Sequence, residues 1–474
     1  MIVPLPIPDY LPDLNSTNGG LGTAENTYRS PDGYHPLRSV ASISNALPSV
    51  FRGGGAFIGS TGQAVLLVGT DTGLYQYAAG AWTALLTGLT VTGKWRFTQF
   101  GNDVVSVNGA VTYKTTLTGA VATTAIAGAP AGVCVAVVGD YVVIGQAAND
   151  LLTVYTSDFN SDSGWNPAGA GATATTQPML TGGEIMGLAG GEYGVILQRQ
   201  RLVRMDRTGD SSVPFAYNEI SPNFGCACKA SIAAVGHDVF FLSDRGFMAL
   251  ANGQQLRPIG SERIDRTFRA IVPRDDYERM FSAIDPENKL VMWCIPGSPG
   301  TLWIYNFELD KWTTGSLPID GLFAAFTSSQ TLEQVSATYP NLDTMPYSLD
   351  DPRFNGGAPR LYAVQGGQIG TFTGPTLKTT FEDSFHQLTG TRRTRLISFR
   401  PITDAVSGMT LSVDARERLG DAANVRQVTE LRPSGIMPIR HSGRYVKPTL
   451  TLAAGTVWTN IEAMDVECEA GGNR

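Results

Sequence analysis

The chain has 474 residues, of which only 16% are charged and 54 are glycine, with a formal net charge of −7. That length supports a large core and more than one module. Little charge and many glycines suit short strands joined by tight turns and exclude a protein of long surface helices. The net charge gives nucleic acid no general attraction, and no apolar run approaches the roughly 20 residues that span a bilayer.

The first 53 residues predict an extended arm rather than a domain. Pro4, Pro6, Pro8, Pro12, Pro31, Pro36 and Pro48 keep the backbone extended. Asn18-Gly19-Gly20 and Asp32-Gly33 mark turns. Few apolar residues here could form a core alone, so the arm is expected either as a loose tail or laid over the domain's own surface or a neighbouring subunit. The opening Met-Ile-Val-Pro-Leu-Pro lacks a basic start and its apolar residues are broken by proline. No secretory signal is expected, and the chain is read as soluble and made in a cytosol. The sequon Asn15-Ser16-Thr17 then has no route to glycosylation.

From residue 54 short apolar runs alternate with Gly, Asn and Asp turns. Gly53-Gly54-Gly55 is read as a hinge before the first unit, since no lysine follows it as in a phosphate loop. Turns fall near 62, 101, 139, 190, 236 and 286. The clearest is Ile232-Ala-Ala-Val-Gly-His-Asp-Val-Phe-Phe-Leu242; at the last, Pro286 sets φ for the second turn position. A drifting period of about 40–50 residues, with one small sheet per repeat, is the pattern of β-propeller blades. A weaker seventh unit combines 322–326 with 361–372, and 327–358 reads as an insertion. The expected fold is all-β, with a propeller of about seven blades over 54–375 and six or eight as the alternatives. No Trp-Asp signature repeats. From 376 to 474 the rhythm breaks. Strands are expected at 395–399, 409–414, 444–452 and 456–462, as a separate C-terminal β-sandwich module.

The sequence offers no catalytic, cofactor-binding or metal site. It contains no G-x-S-x-G, H-E-x-x-H or G-x-x-x-x-G-K-[ST]. Five cysteines include the pair Cys226 and Cys228, whose spacing puts both thiols on one face of a strand; with only four histidines in the chain, buried free thiols are expected. Asp71-Thr72-Gly73 and Asp244-Arg245-Gly246 share the D-x-G core of glycosidase-propeller turns. They lack the flanking Ser and Trp, so they read as plain hairpins. Asp275-Asp276 and Asp350-Asp351 read as solvated pairs. Arg392, Arg393, Arg395 and Arg400 form the most charged feature of the C-terminal module, where 393 and 395 would share a strand face. They are expected to be solvated, internally paired, or in contact with a neighbouring subunit. Arginine outnumbers lysine 28 to 7, a hint of ordered polar contacts at subunit interfaces.

A succession of short motifs carries a resemblance. Ser231-Ile-Ala-Ala-Val-Gly-His-Asp-Val-Phe-Phe-Leu-Ser-Asp-Arg-Gly-Phe247 is followed by Ile259-Gly-Ser-Glu-Arg-Ile-Asp-Arg-Thr-Phe268, Ala283-Ile-Asp-Pro-Glu-Asn-Lys-Leu-Val-Met-Trp293, Leu302-Trp-Ile-Tyr-Asn306 and Lys311-Trp312. Pro8-Asp-Tyr-Leu-Pro-Asp13 and Tyr34-His-Pro-Leu37 precede them; Ser442-Gly-Arg-Tyr445, Ala454-Gly455 and Trp458 close the chain. This order resembles the tail nozzle proteins of short-tailed bacteriophages, also called tail tubular protein B or packaged-DNA stabilisation protein. The resemblance implies a non-enzymatic virion protein of the tail, assembled in the bacterial host cytoplasm. It would form a homo-hexameric ring below the adaptor (head–tail connector) protein, with docking sites for a tail fibre, spike or plug protein. The ring would close the DNA exit channel and retain packaged double-stranded DNA until ejection. The blades would form the wall, the 327–358 insertion the gate, and the arm and C-terminal module the adaptor-docking platform. Residues 377–474 are net +2 and the rest net −9, so the ring's lumen is expected to be acidic, letting DNA slide past. Two other readings remain: a receptor-binding or fibre-attachment propeller of the tail, and a carbohydrate-active propeller enzyme with carboxylates converging on a central pocket.

Overall fold

The computed structural model describes the whole chain except residues 15, 16, 18, 61, 63, 79, 327–358, 423–426 and 472–474. Seven antiparallel four-stranded units follow one another. Blade 1 spans 51–86, blade 2 96–125, blade 3 134–178, blade 4 185–221, blade 5 233–258 and blade 6 281–319. Blade 7 takes Gly321–Phe326, Pro359–Gln365 and Gln368–Thr371 and is completed by Ala41–Ser42 from the arm. Each turn anticipated near 62, 101, 139, 190, 236 and 286 joins the first and second strands of a blade.

The blades read as near-continuous apolar runs because each is buried on both faces. Successive side chains of a strand point to opposite sides, and here each side meets a different neighbour. Phe240 and Leu242 pack towards blade 6, while Val239 and Phe241 pack towards blade 4. Val105 and Val107 pack towards blade 3, and Val104 towards blade 1. A separate apolar core lies between every successive pair of blades, including blades 7 and 1, where Phe51, Phe323, Tyr362 and Val364 meet. These seven cores close the ring, so the fold is an all-β, seven-bladed propeller.

The glycines at 53–55 are not a hinge. They lie inside Phe51–Ile58, the innermost strand of blade 1. A Cβ on Gly53 would sit 2.5 Å from the carbonyl oxygen of Trp95, and one on Gly69 would sit 2.1 Å from its Cγ. These positions stay bare so that the buried Trp95 can fill the seam between blades 1 and 2 and donate its indole N–H to the Thr70 carbonyl at 2.9 Å.

The arm and the C-terminal module are not separate bodies. Residues 376–470 do form a sandwich, but the arm supplies strands to both sheets. One sheet takes Ile2–Pro6, Thr27–Ser30 and Gly33–Pro36 with Thr394–Thr403, Met437–Gly443 and Ile461–Ala470. The other takes Thr23–Glu25 with Thr379–Glu382, Met409–Arg416, Gln427–Glu430 and Tyr445–Leu452. Thr23–Glu25 also pairs in parallel with Lys311–Ile319, the outer strand of blade 6, through Glu25 and Thr314. Blade 6 and half of the sandwich are therefore one nine-stranded sheet. The strand expected at 456–462 begins instead at Ile461, since Gly455 and Thr456 are tied into a turn by Thr376. The insertion expected at 327–358 lies outside the described residues. No helix among the described residues is long and apolar enough to cross a membrane.

Candidate functional site

Two stretches separated by about 250 residues meet at the junction of propeller and sandwich. The backbone N–H of Asp13 donates to the Arg263 carbonyl (3.1 Å). Its carboxylate accepts the amides of Arg266 and Thr267, both at 2.8 Å, and the Thr267 hydroxyl at 2.7 Å. Those amides belong to the first turn of the one α-helix among the described residues, α1 (Asp265–Ile271), whose own N-cap Ile264 offers no side-chain acceptor. Asp13 thus caps the helix from the arm, satisfying open donors at its positive end. Nearby, Lys311 pairs with Asp9, and Arg263 donates to the Asp310 carboxylate at 2.8 Å.

Beneath this contact lies an aromatic core. Phe247 sits 4.7 Å from Trp293 and 5.1 Å from Trp312, centroid to centroid, and Phe268 sits 5.3 Å from Trp303. Trp312 donates its indole N–H to the Ile259 carbonyl at 2.8 Å. Asp265 is buried among these rings and accepts the Phe247 amide at 3.0 Å; burial pushes its carboxyl up to about 6. A Cβ on Gly246 or Gly260 would fall within about 2 Å of its oxygens. The glycine of Asp244-Arg245-Gly246 therefore serves a hairpin and also leaves room for Asp265. The motif segments at 8–13, 231–247, 259–268, 283–293, 302–306 and 311–312 all contribute to this one junction.

The propeller axis holds a cavity of about 1080 Å³, opening on the face where the innermost strands begin. Six blades and the loop leading into blade 5 line it. Its apolar wall includes Met186, Leu188, Ile232, Phe281 and Val364. Its cations are Arg52, Lys94, Arg96, Arg199, Lys229 and Arg279, against the carboxylates of Glu184, Glu278 and Asp320. Lys229 lies 3.7 Å from Glu184, and Arg279 donates to Asp276 at 2.8 Å. Lys94 and Arg52 have no carboxylate partner among the described residues. Their Nζ and Nε atoms are shut off from solvent without a hydrogen-bond acceptor. The Lys94 ammonium lies 3.7 Å from the centroid of the Phe281 ring. Burial, with repulsion from Arg96 and Arg52, pulls it down to about 7. The three carboxylates come from separate segments of the chain and are outnumbered by the six cations.

Cys226 and Cys228 lie in the loop leading into blade 5 rather than on a strand, because the chain there turns inward to bury them. Their thiols donate to the carbonyls of Cys228 and Tyr277, both at 3.1 Å. All five cysteines are buried and free. Among the described residues no three of His, Cys, Asp and Glu gather as metal donors. Asp275 and Asp276 lie on an exposed 3-10 turn, Arg274–Arg279, where Asp276 pairs with Arg279; Asp350 and Asp351 lie outside the described residues. Arg393 precedes its strand, 2.9 Å from Glu417, and Arg395 lies 3.7 Å from Glu469, while Arg392 and Arg400 are exposed. The axial cations were not singled out from sequence. The available signal was a charged residue at the start of an innermost strand, as with Arg52 and Arg96.

No family model matches the chain, and no curated protein matches it. Its fold is similar to solved propellers at low identity. BamB from Moraxella catarrhalis is 13% identical over 73% of this chain and 92% of that one, with a TM-score of 0.36. The extracellular domain of a putative one-component system from B. thetaiotaomicron is 12% identical over 84% of this chain and 48% of that one, with a TM-score of 0.40. The WD40 repeats of RRP9 are 9% identical over 60% of this chain and 89% of that one, with a TM-score of 0.38.

Proposed function

We propose that this chain is a structural subunit of a bacteriophage tail, a wall segment of the nozzle ring that closes the DNA exit channel until ejection. The observation that carries the reading is the junction just described. Most of the motifs whose order resembles the nozzle proteins, scattered from residue 8 to residue 312, build one contact that fixes the sandwich to the propeller through Asp13, α1 and the aromatic core. A continuous nine-stranded sheet crosses the same junction. Such a body resists bending between its two modules, as a pressure-bearing wall requires. On this reading the sandwich, with the arm strands in its sheets, is the adaptor-docking platform, and fibre, spike or plug proteins take the far end. The acidic lumen proposed for DNA passage belongs to the space between six subunits; the propeller's own axis is lined mainly by cations.

The test is direct imaging. Mass photometry and electron microscopy of the purified protein, alone and on particles, should show six copies in a ring on the tail axis. Monomers at the particle periphery, trimers with carbohydrate affinity, or turnover on a glycan panel would overturn the reading.

A further inference from the structure

We propose that the axial cavity is a binding site for a phosphate-class oxyanion carried by a small molecule, with Arg52, Lys94 and Arg96 as its ligands. The three cations are brought together by the seam between blades 1 and 2. The Trp95 amide donates to the Arg52 carbonyl at 3.0 Å, which fixes the two innermost strands in register and turns the side chains on either side of Trp95 towards the axis. Arg96 is further held by donating Nη2 to the Lys229 carbonyl at 3.0 Å. All three residues line both the large cavity and a second chamber of about 350 Å³ deeper along the axis, so they form the neck between the two.

Three adjacent cations without a carboxylate are an expensive arrangement to bury, because each charge loses water and repels the others. A protein that needed only to fill its axis would use apolar residues there, as the neighbouring Phe281 and Phe323 do. Lys94 is the sharpest case: its ammonium lies against an aromatic ring, closed off from solvent and with no acceptor, at the neck between the two chambers. A doubly charged oxyanion would supply acceptors to all three side chains at once, and arginine's planar fork suits phosphate oxygens in particular. The volume above the neck exceeds one phosphate several-fold and falls at the upper end of small-molecule sites. The apolar wall of Met186, Leu188, Ile232 and Val364 gives an organic portion of the ligand somewhere to lie. The site belongs to a single propeller, so it stands whether or not the chain assembles as a ring.

The experiment uses the full chain in phosphate-free buffer, with calorimetry and thermal shift against inorganic phosphate, pyrophosphate and ATP, and with acetate and chloride as controls. Saturable binding of at least one phosphate compound is expected, with acetate failing to compete. Tighter binding of ATP than of pyrophosphate would mark an organic phosphate as the source, and the reverse a free one. Lys94→Met should weaken binding about ten- to a hundredfold, the worth of one charged hydrogen bond, and Arg52→Met should do the same. Unchanged affinity in a folded Lys94→Met protein would overturn the proposal. So would the absence of saturable binding by the wild type, a readout that holds even if a variant does not fold.

Discussion

Removing residues 1–45 tests whether the arm is an accessory or a part of the fold. From sequence, the expectation is that such a deletion impairs docking more than folding. The structure reverses it. The deletion removes the outer strand of blade 7, the strand linking blade 6 to the sandwich, and three strands of the opposite sheet. It also removes the buried side chains of Leu5, Ile7, Tyr10, Leu21, Tyr34 and Leu37. At about 1.5–3 kcal/mol for each large apolar side chain fully buried, these six contribute roughly 9–18 kcal/mol. That matches or exceeds the 5–15 kcal/mol by which a native domain is typically stable. The helix cap from Asp13 is lost as well, about 1 kcal/mol more. The truncated protein should therefore be insoluble, or lack a cooperative melt by calorimetry and fall quickly to limited proteolysis. A soluble truncation that melts cooperatively within a few degrees of the full chain would refute the reasoning.

Two further perturbations probe single sites. Asp265→Asn should stabilise the protein near neutral pH. The folded-state pKa is raised to about 6 from an ordinary 3.8, so the fold disfavours the charged form; the penalty is full above pH 6 and disappears as pH falls through 6 towards 4. The gain should be about 1–2 kcal/mol at pH 7 after solvent screening and vanish near pH 4, read as the difference between melting curves; a difference independent of pH would count against it. Gly69→Ala should destabilise by about 1–3 kcal/mol, because its Cβ drives into Trp95. Tryptophan fluorescence should shift to the red, and Trp95→Leu should recover part of the loss; a neutral Gly69→Ala would show that the seam has slack.

Local chemistry was legible and distant pairing was not. The six blade turns could be read because a hairpin is built from adjacent residues, with Gly101, Gly139 and Gly236 at positive φ where the chain reverses. The long strands Thr394–Thr403, Met409–Arg416 and Tyr445–Leu452 carried enough alternation to be placed within a few residues. Ala41–Ser42 is two residues long and has no pattern of its own; its pairing with Gly370 and Thr371 makes it a strand. The arm was legible as extended, but which surface it covers depends on strands more than 300 residues away. Helix α1 has seven residues and takes its cap from Asp13, so no local start signal marks it. The axial site stayed hidden for the same reason: Arg52 and Lys94 are 42 positions apart, and only the register of two blades makes them neighbours.

The placement of the first strand has a consequence for how the protein comes off the ribosome. Ile2–Pro6 is made long before Ile461–Ala470, its strand partner among the described residues. At about 5–20 residues per second, the early strand waits roughly 20–90 s for its mate. Blade 7 likewise holds Ala41–Ser42 in waiting until its third strand emerges. Blades 1 to 5 can pair internally as they appear, whereas the closing of the ring and the building of the sandwich wait for strands made much later. The waiting segment is rich in proline, which pairs poorly with stray strand edges. Proline content that looked like the mark of a loose tail also protects an early-made piece of the core until its partners exist.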